Sequence, residues 1–332
     1  MEKILITSTG SVACEIVIRN LKKLGYYLIG CNLYPKEWVI ESCQVDKFFQ
    51  APPVRDEDSY IEFIQKLCCS EGINYIFPMI DYEVDVFNHH RDWFEEHGII
   101  LCISPKKAID LIRDKKKLQD FAKIHCPEVN PIPTYQANDY PYQDNTYPIV
   151  CKPYNGRSSQ GLKIINSAEE FHFFLENEDT SGYIAEPFIN GPIVMVETIR
   201  QEQPEKIITL VRRELISTPH GCSITVYVYE DQKLQEYTRK LASLLGVVGD
   251  VNFEYILDSE GKYHLVECNP RFSAGVEFAC ISGYDCVINH IRCFKNQQID
   301  DYHFRNNMVI SRNYQPQITA KNIEVPYSLT NH

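Results

Sequence analysis

Two acidic residues on adjoining strand-like segments offer the clearest chemistry in the chain. The segments Val251–Leu257 (VNFEYIL) and Tyr263–Asn269 (YHLVECN) flank Asp258-Ser-Glu-Gly-Lys262, a connection of hairpin type. With Ser259–Lys262 as a four-residue loop, Asp258 faces Tyr263, Ile256 faces Leu265 and Glu254 faces Glu267. The two-residue strand period then sets Asn269 on the face of Glu267. Carboxylates directly opposite each other on a sheet repel, so the placement calls for a cation or a shared proton. Two carboxylates and an amide oxygen, with no His or Cys beside them, are hard ligands that suit Mg²⁺ over zinc. The other register would leave both acids in solvent. Arg271, across Pro270 from Asn269, is placed to meet an oxyanion, and its planar fork suits phosphate and carboxylate alike.

A second constellation is Tyr147-Pro-Ile-Val-Cys-Lys152-Pro153, followed by Asn155-Gly-Arg-Ser-Ser-Gln-Gly161 and a strand beginning at Leu162. Gly156 and Gly161, with Ser158 and Ser159 between them, give a loop whose N–H groups and hydroxyls can close over phosphate oxygens. Lys152 at its base can neutralise them; an ordinary hairpin with a snorkelling lysine is the alternative. Asp81 and Glu83 stand past the carboxyl end of a strand, where open α/β sheets place ligands, and could bind an ammonium. Asp81 could equally cap the next helix. Arg212 and Arg213, on the run Ile207–Leu215, and the loop Pro219-His-Gly-Cys-Ser223 could bind a substrate carboxylate, with cross-strand pairing as the alternative.

These residues need a scaffold. Lys3–Thr7 is a short apolar run ending in Ser8-Thr9-Gly10-Ser11, followed by a helical stretch Val12–Leu24 and a run Tyr27–Cys31, the opening of a doubly wound parallel sheet. Helices at Ser59–Ser70 and Glu83–His97 and strands at Tyr75–Met79 and Ile99–Ile103 continue it. Thr9-Gly10-Ser11 lacks the three-glycine spacing that lets a backbone approach a pyrophosphate, which argues against a dinucleotide fold of the dehydrogenase type. Two helical stretches follow, to Arg113 and from Asp114 to Ile124, then a linker with Pro127, Pro131 and Pro133. Beyond it strands dominate with few helices between them, so the sheets there are expected to be largely antiparallel. The fold class is α/β, turning to α+β in the C-terminal part.

Composition narrows the partners. The 332 residues hold 33 Lys+Arg against 45 Asp+Glu, a net charge of -12 with no basic stripe, which excludes nucleic acid and anionic membrane as expected partners. No apolar run reaches the ~20 residues of a membrane span, and the N-terminus enters a strand without a signal-peptide pattern, so a cytoplasmic protein is expected. The 13 cysteines are scattered, with no metal-site spacing at Cys68-Cys69, and read as buried free thiols.

Taken together, these motifs resemble the ATP-grasp enzymes, and within them single-module relatives of the carbamoyl phosphate synthetase large chain. The resemblance spans residues 1–316 and is most specific at Glu267-Cys-Asn-Pro-Arg271, which looks like the family's E-x-N-P-R signature. It implies that Glu267, Asn269 and Glu254 hold Mg²⁺ on ATP and that Arg271 reaches the transferred phosphoryl group. It likewise implies that Lys152 meets the phosphates and that Asn155, Gly156, Ser158, Ser159 and Gly161 cover them. The family's earlier basic residue matches Lys115 in Asp114-Lys115, with Lys116 and Lys117 available beside it. Tyr183-Ile-Ala-Glu186-Pro-Phe188-Ile189 is similar to the hinge that reads the adenine edge. After Gly191, where the family has a ribose-binding Glu, this chain has Pro192-Ile193, and its next acid is Glu197.

The resemblance implies a pre-ATP-grasp Rossmann-like domain at 1–103, a small lobe with linker helices and phosphate-covering loop at 104–188, a large lobe with the metal site at 189–316 and a tail at 317–332. It also implies an ADP-forming ligase that activates a small carboxylate as an acyl phosphate and joins it to an amine, with ATP and Mg²⁺ as cofactors and a homodimer open as the assembly. Bicarbonate or a sugar acid as donor, or nucleotide binding without turnover, are the rival readings.

Overall fold

The computed structural model describes residues 1–141, 147–157, 159–219 and 221–321. The first unit comprises β1 (Lys3–Ile6), α1 (Cys14–Lys23), β2 (Tyr27–Asn32), β3 (Lys47–Gln50), α2 (Glu57–Glu71), β4 (Tyr75–Phe77), α3 (Asp81–His89), α4 (Arg91–Glu96) and β5 (Ile100–Leu101). Its strands are parallel, in the order β3-β2-β1-β4-β5. Ile4 and Ile6 enter one hydrophobic core and Leu5 the other, because crossover helices cover both faces. The strand order reverses between β1 and β4, and there Ser8 and Glu83 meet, the Ser8 hydroxyl donating to the carboxylate at 2.8 Å. The single helix expected over Glu83–His97 is two, broken at His90. His89 and His90, at this break, both reach Glu57 Oε1, at 2.7 and 3.0 Å.

Next come α5 (Lys106–Ile112), α6 (Lys115–His125), β6 (Tyr135–Gln136), β7 (Ile149–Pro153), β8 (Lys163–Ile165), α7 (Ala168–Asn177) and β9 (Tyr183–Pro187). The four strands form an antiparallel sheet, β6-β9-β7-β8, with Phe171 and Phe174 of α7 packed on Ile149, Cys151 and Ala185. Helices α5 and α6 pack elsewhere, on the last sheet.

That sheet holds β10 (Ile193–Gln201), β11 (Lys206–Ser217), β12 (Ser223–Tyr229), β13 (Gly249–Leu257), β14 (Tyr263–Asn269) and β15 (Met308–Ser311), with α8 (Gln232–Leu245), α9 (Val276–Ile281) and α10 (Cys286–Phe294) in the connections. All its pairings are antiparallel, in the order β14-β13-β10-β11-β12-β15. More helices intervene than expected. The signals for α8 were present: Asp231 caps it by accepting from the Leu234 N–H at 2.9 Å, Leu234, Leu241 and Leu245 recur at helical spacing, and Gly246 ends it at φ 67°. One face of the sheet is apolar and buried under α6 and α8. Helices α9 and α10 share a core with β1, β2 and α1 of the first unit, which joins the two ends of the chain. No helix among the described residues is long and apolar enough to cross a membrane.

Candidate active site

The face of the six-stranded sheet turned away from α6 and α8 holds the polar residues. One cross-strand row runs Arg212, Met195, Glu254, Glu267, and the next runs Leu210, Glu197, Asn252, Asn269. Glu254 therefore faces Glu267, but by a different path from the one expected. Leu257, not Asp258, pairs with Tyr263, so the turn holds five residues; Ile256 pairs with His264 and Tyr255 with Leu265. Asp258 leaves the ladder because its carboxylate accepts the N–H groups of Glu260 and Lys262, both at 2.9 Å. A bulge at Val266 then absorbs one residue and brings Glu254 back opposite Glu267. The bulge also turns Leu265 into the core while Glu267 faces the site, although residues two apart in a regular strand share a face.

Gln119 holds that bulge, and sequence reasoning missed it. Its Nε2 donates to the carbonyls of Leu265 (2.7 Å) and Val266 (3.3 Å), and its Oε1 accepts from the Ile132 N–H at 2.9 Å. An uncharged residue inside a helix gives no signal of such a role. One turn earlier on α6, Lys115 Nζ lies 3.0 Å from Glu267 Oε2 and 2.7 Å from the Gly156 carbonyl. Asp114 caps the helix by accepting from the Lys117 N–H at 3.0 Å. Lys116 and Lys117 turn outward onto Asp120 and Asp114 at 2.6 and 3.4 Å, so Lys115 alone of the three enters the site.

Burial, then the facing Glu267 charge, push the Glu254 carboxyl up to about 8. Burial also raises Glu267, but Lys115 and Lys152 outweigh it and hold that carboxyl below its ordinary value. Asn269 Nδ2 donates to Glu267 Oε1 at 3.2 Å, keeping the amide beside the two acids.

Lys152, on β7, is buried with its Nζ 2.6 Å from Glu186 Oε2, and Glu186 Oε1 accepts from the Thr134 hydroxyl at 2.9 Å. Phe188 is exposed and Ile189 partly so, immediately beyond β9. In the loop above Lys152, Ser159 (φ 56°) and Gly161 (φ 73°) adopt left-handed backbone, and a Cβ on Gly161 would come 2.9 Å from the Tyr183 hydroxyl oxygen. Asn155 is exposed, and Ser158 lies outside the described residues. Arg157 leaves the loop to pair with Asp85 and to stack 3.7 Å from the Tyr82 ring centroid, while Arg113 donates to Asp85 at 2.8 Å and to the Asn155 carbonyl at 3.4 Å.

Asp81 and Glu83 do not form an ammonium site. Asp81 Oδ2 accepts from Arg271 Nη2 at 2.7 Å and Nε at 3.0 Å, with Arg113 3.7 Å from Oδ1. Burial raises its carboxyl, but the two guanidiniums prevail and hold it below the usual range. Nor does it cap α3, whose N-cap is Ile80. Glu83 is buried, accepting from Ser8, from the Tyr60 hydroxyl at 2.8 Å and from the Met79 N–H at 3.2 Å, and desolvation raises its carboxyl. Arg271 thus faces both Asn269 and the first unit, where the sequence showed only an oxyanion partner.

Arg212 and Arg213 point to opposite faces of β11, so they cannot act as a pair. Arg213 stands 5.8 Å over the Tyr227 ring. Arg212 is buried, with Nη1 2.6 Å from Glu197 Oε2 and Nη2 2.9 Å from the Ser273 hydroxyl. A Cβ at Gly275 would lie 2.6 Å from Arg212 Nη2, so the glycine makes room for the guanidinium. Glu197 is fully buried and also accepts from Asn252 and Ser273, at 3.3 and 2.6 Å, which removes it as a ribose ligand in this arrangement. Of the loop 219–223, His220 lies outside the described residues, and Ser223 donates to Glu214 at 2.6 Å.

Comparison with known proteins agrees with this architecture. The family model described as "ATP-grasp domain" matches residues 112–275, and that described as "PylC-like, N-terminal domain" matches residues 4–102. The carbamoyl phosphate synthase large chain of Clostridium beijerinckii is 23% identical over 292 residues, 83% of this chain and 26% of that one. That of Clostridium botulinum is 23% identical over 310 residues, 89% of this chain and 28% of that one. The chain thus spans about a quarter of the length of these relatives. Among solved structures, biotin carboxylase from Campylobacter jejuni superimposes with a TM-score of 0.74 at 18% identity, covering 90% of this chain and 72% of that one. N5-carboxyaminoimidazole synthetase from Staphylococcus aureus gives 0.71 at 17%, covering 93% and 80%. A biotin carboxylase domain from Hydrogenobacter thermophilus, solved with MgADP and bicarbonate, gives 0.72 at 19%, covering 93% and 73%.

Proposed function

For this member of the ATP-grasp superfamily, with its PylC-like N-terminal domain, we propose an ADP-forming ligase activity that activates a small carboxylate as an acyl phosphate and passes it to an amine. The observation that supports it is the facing pair Glu254 and Glu267, with Lys115 ion-paired to Glu267. An acid raised to about 8 beside an ionised one is a ligand set short of one cation, and with Asn269 the donors are all hard oxygens. Glu254, Glu267 and Asn269 fit Mg²⁺ carried by ATP, which would supply neutralisation of phosphate charge there.

The remaining roles belong to side chains of the chain itself. Lys115 and Lys152, buried beside the two acids and β7, offer ammonium groups to phosphate oxygens, exchanging Glu267 and Glu186 for them. Arg271, fixed by Asp81, presents its guanidinium beside Asn269, so that developing negative charge meets a preset partner. The loop 155–161 covers the phosphates and excludes water, which would otherwise hydrolyse the mixed anhydride. The backbone of Pro187–Ile189 reads the adenine edge, with Glu186 held beside it by the Thr134 hydroxyl once Lys152 has turned to the phosphates. The MgADP bound in the Hydrogenobacter thermophilus relative supports the nucleotide and metal.

The test is chemical. With a carboxylate panel, MgATP and hydroxylamine, an acyl phosphate yields a hydroxamate with ADP and phosphate in equal amounts. Release of AMP and pyrophosphate would overturn the mechanism, because the cations gathered here serve a terminal phosphoryl group. Bicarbonate belongs in the panel, since the same relative was solved with it.

A further inference from the structure

Glu57 opens α2, and His89 and His90 stand at the break between α3 and α4, on the surface of the first unit. His89 Nδ1 and His90 Nε2 converge on a single oxygen, Glu57 Oε1, at 2.7 and 3.0 Å. The two rings, with centroids 4.8 Å apart and planes inclined at 41°, each turn one nitrogen toward that carboxylate. One ligand atom from each of the three side chains lies within 4.8 Å of the other two, the one group of this kind among the described residues. No lysine or arginine claims the carboxylate: the ion-pair partners of Glu57 among the described residues are these histidines.

As hydrogen bonds alone these contacts accomplish little, since ion pairs open to solvent add little stability. Two imidazole nitrogens and a carboxylate oxygen are, by contrast, a donor set of borderline softness. Such a set binds Zn²⁺ and its neighbours in the first transition row and discriminates against Mg²⁺. A tetrahedral ion bonded at roughly 2.0 to 2.2 Å holds its ligand atoms about 3.3 to 3.6 Å apart. The contacts at 2.7 and 3.0 Å therefore need only modest side-chain rotation to admit one. The side chains are 73% (His89), 30% (His90) and 41% (Glu57) exposed, so an ion can arrive from solvent and keep water as a further ligand.

We infer that Glu57, His89 and His90 form a site for a divalent transition-metal ion of the zinc class, separate from the Glu254 and Glu267 pair and its Mg²⁺. The ion ties the start of α2 to the α3–α4 break. The same two helices are joined elsewhere by the Tyr60 hydroxyl, which donates to Glu83 at 2.8 Å. Helix α3 also carries Asp81, which holds Arg271, and Asp85, which holds Arg113 and Arg157. His89 shares a cleft of 260 Å³ with Asp85 and Arg113. The metal thus braces, from its far end, the helix on which those guanidiniums lean.

The full chain, kept in excess Mg²⁺ so that hard oxygen ligands are filled, is titrated with Zn²⁺ by calorimetry and with Cu²⁺ under electron paramagnetic resonance. The expected result is a saturable Zn²⁺ site that Mg²⁺ does not displace, weakened about tenfold or more in both His89→Ala and Glu57→Gln. The Cu²⁺ spectrum should show nitrogen hyperfine structure from two imidazoles, reduced to one in His89→Ala. Zn²⁺ should raise the melting temperature of the parent and not that of His89→Ala with His90→Ala. Cys43 and Cys69 are exposed, and Zn²⁺ held by such thiolates survives the histidine substitutions. Circular dichroism confirms that each variant is folded, and Glu57→Gln keeps both rings in place as a second probe. Absence of saturable Zn²⁺ binding, equal binding in parent and variants, displacement by Mg²⁺, or a Cu²⁺ spectrum without imidazole nitrogen overturns the inference.

Discussion

Glu254 and Glu267 face each other across β13 and β14, yet among the described residues only Glu267 forms an ion pair with a lysine, Lys115 Nζ lying 3.0 Å from its Oε2. The two acids should therefore respond differently to neutralisation. The native Glu254 carboxyl lies at about 8 and the ordinary value is 4.5, so the folded state holds a proton that the unfolded state releases between them. That contribution is fully present below pH 4.5 and is lost as pH rises toward 8. Without metal, Glu254→Gln should gain on the order of 1 to 3 kcal/mol near pH 8 and flatten this decline. Glu267→Gln should lose stability instead, because the buried Lys115 ammonium loses its counter-charge and keeps only the Gly156 carbonyl. Both should abolish Mg²⁺-dependent ADP release. Urea denaturation across pH 5 to 9 decides it; equal stability changes in the two variants would falsify the asymmetry.

Lys152 and Glu186 form a buried pair at 2.6 Å, so removing one charge strands the other. Lys152→Met alone should cost about 3 to 5 kcal/mol of stability, and Lys152→Met with Glu186→Gln should recover most of it. The double variant is then the one in which to read nucleotide affinity, expected to fall by about 1.5 to 3 kcal/mol. Calorimetry that finds MgATP binding unchanged there would make Lys152 a strand residue only.

Gln119 holds the Val266 bulge through the Leu265 and Val266 carbonyls from the α6 side of the sheet, away from Glu267. Gln119→Leu should leave those carbonyls and the Ile132 N–H unpaired and destabilise the fold by roughly 1 to 3 kcal/mol. If the bulge sets Glu267 in place, the Mg²⁺ concentration for half-maximal ADP release should also rise. Lost stability with an unaltered Mg²⁺ requirement would reduce Gln119 to packing.

His290 of α10 accepts the Asp250 N–H on Nδ1 at 2.8 Å, and its Nε2–H donates to the Cys102 carbonyl of the first unit at 3.2 Å. Desolvation lowers its pKa from 6.5 to about 3. Between those values the unfolded chain binds a proton that the native ring refuses, so stability is full above pH 6.5 and falls on acidification by at most about 1.4 kcal/mol per unit. His290→Gln, which keeps a donor and an acceptor, should fall less steeply between pH 6.5 and 4. Parallel acid profiles for variant and parent would remove His290 from the account.

How far the sequence reached can be traced at particular residues. Local pattern was enough for the parallel opening of β1, α1 and β2, for the antiparallel ladders that follow, and for Glu267-Cys-Asn-Pro-Arg271, because strand period, helix period and signature residues are properties of neighbouring positions. The pairing of Glu254 with Glu267 was also foreseen, though from a turn one residue too short and a ladder without its bulge, two errors that cancel. Helix α8 was legible from its cap and spacing and was passed over.

The tertiary fold alone decided which charges meet. Nothing local links Asp81 to Arg271, 190 positions apart, or Gln119 to the Leu265 carbonyl, 146 apart. Lys115 stands out from Lys116 and Lys117 only when α6 lies against β14, and Arg212 from Arg213 only when β11 has one face toward Glu197. Sequence fixes the type and period of a side chain. Its partner, and hence its charge state, depends on which distant segment folding brings against it, since Coulomb energy and desolvation act through space and not along the chain.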